Sequence, residues 1–352
     1  MHLIIPGIIS AFLLTYFLIP SIIGVSNNKN LFARPNERSS HLENTPALGG
    51  VALFAGIAFS IIVWISLEEF AYLQYILASL MIVFLIGLRD DIVPISPLQK
   101  LLGQALAVSL LLLKTDIYLS SFHGILGMNE LPSTIMFPIT ILFILFIINA
   151  FNLIDGIDGL AGSIGALVLS TYGCWFLAIR QMDYAMLAFV SLGALVAFLK
   201  YNYTPARIFM GDSGALVIGL VSAILTIKFV ELNPVIPESR GFQFQNPVAV
   251  ALGIMMIPLF DTLRVFFTRI YRHQHPLKAD RRHIHHMLLD LGYTHIQATA
   301  LLIGFNMLFI SIAFSLEAYL DTQVLMCLLF GIAAVTTFFL HKKLRTIRQI
   351  AG

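Results

Sequence analysis

Ile139-Thr-Ile-Leu-Phe-Ile-Leu-Phe-Ile-Ile148 leads directly into Asn149-Ala-Phe-Asn-Leu-Ile-Asp-Gly-Ile-Asp-Gly-Leu160, and a second apolar run begins near Leu160. Two long uncharged runs in succession read as consecutive membrane spans, since a spanning helix needs about 20 mainly apolar residues. Between them stand Asn149, Asn152, Asp155 and Asp158, spaced three apart. If the helix continues through them, that spacing stacks the four roughly along one face. Gly156 and Gly159 remove side chains from beside the carboxylates, so a ligand or another backbone can come close. Two readings stand: a turn that caps two helices, or a polar-ligand or metal site at the bilayer surface.

The rest of the chain has the same character. Of its 352 residues, 58% are hydrophobic and 11% charged, and the mean hydropathy is +0.88. A soluble domain carries about 25% charged residues. A net charge of +2 gives no broadly basic surface, which argues against nucleic acid as a partner. Cys174 and Cys327 both lie in apolar runs and form neither a disulfide framework nor a zinc pattern. The first run, Leu3 to Val25, lacks the basic start and cleavage site of a signal peptide and reads as a retained span. Windows of about 20 residues give eleven spans, at about 3–25, 46–66, 71–88, 99–115, 133–151, 160–179, 184–201, 212–231, 247–269, 297–316 and 322–341. The expected fold is all-α: one polytopic membrane domain over residues 1–352, with a polar loop at 269–296 inside it. No internal repeat is visible, so an inverted-repeat transporter gains no support.

Lys and Arg positions set the expected orientation. With the N-terminus outside, 17 of the 21 fall in the odd-numbered loops and the C-terminal tail, which places both on the cytoplasmic side. Acidic residues on the outer side, such as Glu231 and Glu317, read as solvated and structural. The patterned polar clusters fall on the cytoplasmic side.

Asp90-Asp91 closes the third window. A charge at mid-membrane costs about 2.5–3.5 kcal/mol on insertion scales, so even near the boundary this pair calls for Arg89, Lys100 or a cation. Arg207-Ile-Phe-Met-Gly-Asp-Ser-Gly214 opens the eighth window. Asp212 or Ser213 is placed to cap that helix. A glycine-flanked helix start is also a phosphate site, beside which an Asp can hold Mg²⁺. The longest polar loop carries Lys278-Ala-Asp-Arg-Arg-His-Ile-His-His286. Ile284, Met287, Leu288 and Leu291 recur at helical spacing and predict a short amphipathic helix on the membrane surface, with His283, His286 and Asp290 on its other side. No Cys accompanies the histidines and HExxH is absent. Beside Arg281 and Arg282 they read as hydrogen-bond donors to a pyrophosphate. Asp261, inside the ninth window, is placed to pair with Arg264. The first loop, Arg34-Pro-Asn-Glu-Arg-Ser-Ser-His41 followed by Thr45-Pro-Ala-Leu-Gly-Gly50, reads as a helix start.

Asp90, Asp91, Asp155, Asp158 and Asp212 thus share one membrane face with a His/Arg loop. Carboxylates imply Mg²⁺ or Mn²⁺, the basic loop a diphosphate, and the apolar frame a lipid. The chemistry expected is metal-dependent phosphoryl transfer between a cytosolic nucleotide and a membrane lipid phosphate. The rival class is a nucleotide-sugar or lipid transporter. It needs charges deep in several spans, and only Asp261 and Arg264 lie within one.

The motifs TPALGG (45–50), GLRDD (87–91), NAFNLIDGIDGL (149–160), FMGDSG (209–214) and HIHH (283–286), in this order, resemble the polyprenyl-phosphate N-acetylhexosamine-1-phosphate transferase superfamily. That resemblance implies transfer of a sugar 1-phosphate from a UDP-sugar to a polyprenyl phosphate with Mg²⁺ and release of UMP, in the bacterial inner membrane, at the start of cell-envelope glycan synthesis. It implies that Asp212 is the principal Mg²⁺ ligand. One of Asp90 and Asp91 would orient or deprotonate the lipid phosphate, and the other, with Asp91 the choice here, would assist the metal. Asn152, Asp155, Asp158 and Phe209 would face the nucleotide, with Asp158 at the uracil and Phe209 stacked on it. Arg281, Arg282, His283, His285 and His286 would hold the diphosphate or sugar. A homodimer is compatible with the family. HIHH after an arginine is similar to the N-acetylglucosamine branch, with undecaprenyl phosphate as acceptor. The muramoyl-pentapeptide branch has three consecutive histidines and a lysine before its TPTMGG motif, where this chain has Ile284 and Glu43-Asn44.

Overall fold

The structure is a computed structural model and describes residues 3–29, 31, 45–65, 70–127, 130–237, 241–274 and 282–351. Arg281 and the loop from Arg34 to His41 lie outside the described residues. Among them the α-helices are α1 (Ile4–Lys29), α2 (Gly49–Trp64), α3 (Leu73–Ile92), α4 (Pro97–Lys114), α5 (Ser133–Ile154), α6 (Leu160–Ala178), α7 (Met182–Asn202), α8 (Gly211–Leu232), α9 (Pro247–Ile254), α10 (Met256–Tyr271), α11 (Ile284–Asp290), α12 (His295–Leu316) and α13 (Thr322–Ala351). Each apolar window holds one helix, except that the ninth holds α9 and α10. Among the described residues seven helices are long and apolar enough to cross a membrane, and the bent pair α9–α10 makes up to eight. This is a multi-pass membrane protein, with fewer crossings established by length and composition than the eleven windows. At 16 residues, α2 is too short for that test.

Local sequence sets the helix starts nearest the polar end. Ser96 and Gln99 form a reciprocal capping box, with Pro97 in the first turn of α4, and Thr294 and Gln297 do the same for α12. The hub of the bundle is α8. It is apolar all round, is buried from Ser213 to Val230, and packs against α2, α3, α5, α6, α7 and α9, as a central helix should.

Between α9 and α10 the chain turns by 83° at Met255. The break frees backbone groups in an apolar setting, where unpaired groups are costly. The buried amide of Asn306 on α12 answers both sides, accepting from the Ile257 N–H (3.1 Å) and donating to the Ile254 carbonyl (3.0 Å). After the break, α10 carries Asp261 and Arg264 towards the histidine segment.

Two expectations change here. The histidine helix forms as α11, but it does not lie on a surface with one wet face. Ile284, His285, His286, Met287 and Leu288 are all buried, because α12 and α13 both pack on it. At the far end of the bundle the acidic residues are not simply solvated. Glu231 accepts from Ser120 N–H (2.9 Å), and the buried Glu317 accepts from Gln245 N–H (2.6 Å), pinning the loop between α8 and α9.

Candidate active site

The site forms where α3, α4, α5 and α8 meet. Asp91, in the last turn of α3, faces the first turn of α8. Its Oδ1 accepts from Asp212 N–H (2.7 Å), and its Oδ2 accepts from Ser213 N–H (3.0 Å) and Ser213 Oγ (2.6 Å). Asp155, just past the end of α5, accepts from Gly211 N–H. The helix start expected to bind a phosphate is therefore filled by two carboxylates of the chain itself, which satisfy its free N–H groups and its dipole. Gly211 has φ +69°. A Cβ there would strike the Ala47 carbonyl and come within 2.7 Å of the Asp91 carboxylate.

Beside this junction Lys100, in the first turn of α4, gathers the remaining acids. Its ammonium contacts Asp212 Oδ2 and lies 3.2 Å from Asp90 Oδ2. Asn152, with its amide turned to suit both neighbours, donates to Asp212 Oδ1 (2.6 Å) and accepts from Lys100 (2.9 Å). Asp90 and Asp212 are themselves within hydrogen-bonding reach. Asp90 also accepts from Ile95 N–H (2.8 Å), which fixes the short link from α3 to α4. Two carboxylates, Asp90 and Asp212, thus share one ammonium. Burial, with the Asp91 charge nearby, lifts the Asp155 carboxyl to about 7.

The segment 45–50 closes one side. Phe209 N–H donates to the Pro46 carbonyl (2.8 Å), and Gly49 N–H donates to the Phe209 carbonyl (3.0 Å). The half-buried Phe209 is held at the edge of the cluster in this way.

The Asn/Asp motif is not one continuous helix. Asn149 and Asn152 are on α5, but the helix ends at Ile154, and Asp155 and Asp158 occupy the turn before α6. The four do not share a face. Asp158 is buried, with Oδ2 accepting from Ala206 N–H (3.2 Å) and Oδ1 3.5 Å from His295 Nδ1. There it ties the turn to the segment before α8 and to α12. What comes close to Gly156 is the ring of His285, whose Cε1 would be 3.0 Å from a Cβ there. This contact brings α11 onto the Asn/Asp turn. His283, His285 and His286 are all buried, with the His283 and His285 rings parallel at 5.7 Å. Burial, then His286 and His283, hold the His285 pKa well below the usual histidine value, so its ring is neutral. Arg282 joins the group through its carbonyl, which accepts from Arg264 (2.5 Å).

Two residues do more than the sequence assigned to them. Lys100 entered only as one possible partner of the Asp pair. Asp261 was paired with Arg264, which is correct at 2.7 Å, but it also receives His283 Nδ1 (3.0 Å) and Ile284 N–H (3.1 Å). A buried carboxylate in a span was the available signal.

Among the described residues no three acidic, histidine or cysteine side chains are set to enclose a metal ion by themselves. The donor set nevertheless fits a hard cation of the Mg²⁺ kind, which keeps waters and takes only one or two carboxylates with substrate oxygens. Asp212 and Asp90 are within reach of one another and crowd a single ammonium, whereas both oxygens of Asp91 are already engaged by the α8 N-terminus.

A helical membrane frame with a charged cluster at one end of its central helix is the setting in which the comparisons with known proteins fall. Residues 73–230, from α3 to α8, match the family model described as glycosyl transferase family 4. The undecaprenyl-phosphate alpha-N-acetylglucosaminyl 1-phosphate transferase of Pasteurella multocida is 33% identical over 301 residues, covering 84% of this chain and 80% of that protein. The protein of the same name from Haemophilus influenzae is 33% identical, over 79% of this chain and 77% of its own length. The decaprenyl-phosphate N-acetylglucosaminephosphotransferase of Mycolicibacterium smegmatis is 29% identical, over 84% and 77%. The chain belongs to glycosyl transferase family 4 and is a phosphoglycosyltransferase.

Proposed function

We propose that the chain transfers N-acetylglucosamine 1-phosphate from UDP-N-acetylglucosamine to undecaprenyl phosphate or a similar polyprenyl phosphate, releasing UMP. The observation that carries this reading is the junction of Asp90, Asp212, Asn152 and Lys100 at the start of α8, with the histidine helix seated on the adjoining turn. The names of the relatives supply the acceptor and the sugar. The cluster lies on the side to which the sequence pattern assigns 17 of the 21 Lys and Arg residues, which supports a cytoplasmic site, eleven crossings and an external N-terminus in a bacterial inner membrane.

In this reaction an oxygen of the polyprenyl phosphate attacks the sugar-proximal phosphorus of the donor. A P–O bond forms to the acceptor, and the P–O bond to UMP breaks as UMP leaves. A phosphate monoester has its second pKa at about 6, so the nucleophile is largely ionised at neutral pH. The protein's work is positioning and charge stabilisation. Asp212 and Asp90 would hold Mg²⁺, which when bound supplies positive charge against the diphosphate. Lys100 keeps these two carboxylates together. Asp91 sets the start of α8 and with it the direction of Asp212. Asn152, Asp155 and Phe209 face the nucleotide, and Asp158 supports their turn. His283, His285, His286 and Arg282 line the donor side, with Arg281 assigned there from sequence.

The test uses purified protein in detergent with undecaprenyl phosphate and Mg²⁺. UDP-GlcNAc, UDP-GalNAc and UDP-MurNAc-pentapeptide are compared for UMP release. Release with UDP-GlcNAc alone, abolished by chelator and by Asp212→Asn, is the expected result. Release only with the muropeptide would overturn the donor. Release unaffected by chelator would overturn the metal.

A further inference from the structure

Asp261 lies on α10, beyond the segment that the family model matches, and the reaction described above does not use it. Its side chain is 2% exposed. Such a group is costly to bury unless every oxygen finds a partner, and here each does. Oδ1 accepts from Arg264 (2.7 Å) and from Ile284 N–H (3.1 Å), while Oδ2 faces His283 Nδ1 at 3.0 Å and Ile284 N–H at 3.2 Å. Arg264 also donates to the Arg282 carbonyl (2.5 Å) and lies 3.4 Å from His341 on α13.

This arrangement does two things that a plain Asp–Arg pair would not. First, α11 starts at Ile284, and its N-cap residue, His283, makes no side-chain capping bond. Asp261 supplies the missing acceptor from another helix, which is the role Asp or Ser usually fills within the chain. Second, a carboxylate only accepts hydrogen bonds, so the imidazole nitrogen facing it must carry the hydrogen. His283 is thereby fixed with hydrogen on Nδ1. Its Nε2 is buried and makes no hydrogen bond among the described residues. Of the two ring nitrogens, Nε2 is the one left for a ligand.

We propose that Asp261 is a positioning residue of the transfer reaction: it locks the ring orientation and tautomer of His283 and pins the first turn of α11, so that Nε2 of His283 is the atom that meets the nucleotide-sugar donor. The proposal rests on the reading of the histidine helix as the donor-binding side. Asp261 touches neither substrate. It acts through His283, as the buried carboxylate of a hydrolase triad acts through its histidine.

Asp261→Asn is the discriminating variant. Its amide oxygen can still accept from Ile284 N–H, so the cap survives, but its NH₂ would face His283 Nδ1. That favours the opposite tautomer and turns Nε2 into a donor. The expected loss in kcat/KM for UDP-GlcNAc is at least about 10-fold, by analogy with the loss of a carboxylate that orients a metal-bound histidine. The decisive readout is a double-mutant cycle with His283→Gln. If Asp261 works through His283, Asp261→Asn in the His283→Gln background costs little more. If the two losses multiply, Asp261 is structural and the proposal is overturned, while the donor-side reading stands. If His283→Gln alone leaves kcat/KM unchanged, the donor-side reading itself falls and takes the proposal with it. A second measurement does not depend on how the Asn variant folds. In wild-type protein labelled with ¹⁵N-histidine, the His283 signals, assigned by their loss in His283→Gln, are expected to show hydrogen on Nδ1. A neutral ring with hydrogen on Nε2 alone would overturn the proposal.

Discussion

Asp91 and Asp212 are both acidic and lie within one junction, yet they do different work. Asp91 spends its two oxygens on the Asp212 and Ser213 N–H groups and the Ser213 hydroxyl. Asp212 meets Lys100, Asn152 and Asp90. Leaving buried donors unpaired costs about 1–3 kcal/mol, so Asp91→Ala is expected to lower the apparent melting temperature by several degrees. Asp212→Asn removes one carboxylate from a crowded group and leaves Lys100 paired with Asp90. It is expected to hold or raise the melting temperature while abolishing UMP release. Parallel melting curves and rates for the two variants check this, and equal destabilisation by both would contradict the division of roles.

At the scale of elements, the contact between α11 and the turn after α5 joins two clusters far apart in sequence. The ring of His285 sits on Gly156 with no room for a methyl group. Overpacking of this kind costs about 1–3 kcal/mol, so Gly156→Ala is expected to lower both stability and activity. Adding His285→Ala should restore the melting temperature but not the rate. His285 also sets a pH dependence. Its folded pKa lies well below the ordinary histidine value of about 6.5, so the unfolded chain takes up a proton there that the folded protein refuses. Its contribution to stability is complete above pH 6.5 and is lost as pH falls through that value towards the folded pKa. Melting temperatures measured from pH 7.5 down to 5.5 should fall in the wild type and fall less in His285→Gln. The sequence alone placed every long helix, because apolar windows are a property of the segment. It misjudged α11, whose spacing reads as one wet face, because the cover that buries it comes from α12 and α13. It left open whether a helix or a capping turn runs through the Asn/Asp motif. The three-residue spacing suits a helix, but the chain turns at Asp155, and Gly159 takes φ +75°.

Across the whole molecule, α8 is the frame on which the site depends. Its buried length fixes α2, α3 and α5 around one N-terminus, and the 83° break between α9 and α10 returns Asp261 and the histidine helix to the same end. The acidic members of the site were legible because carboxylates in an apolar chain stand out. Lys100 and Asp261 were not, because an ion pair between helices cannot be told from a neighbouring charge until the helices are packed. The central claim is that the donor's sugar and its adjoining phosphate move together to a polyprenyl phosphate. The most direct test supplies UDP-GlcNAc carrying ³H in the sugar and ³²P in the sugar-proximal phosphate, with undecaprenyl phosphate and Mg²⁺, and follows both labels into the lipid fraction. Equal amounts of ³H and ³²P in the lipid, with UMP as the aqueous product and neither label transferred by Asp212→Asn, is the predicted result. Tritium in the lipid with ³²P left behind in UDP would contradict it.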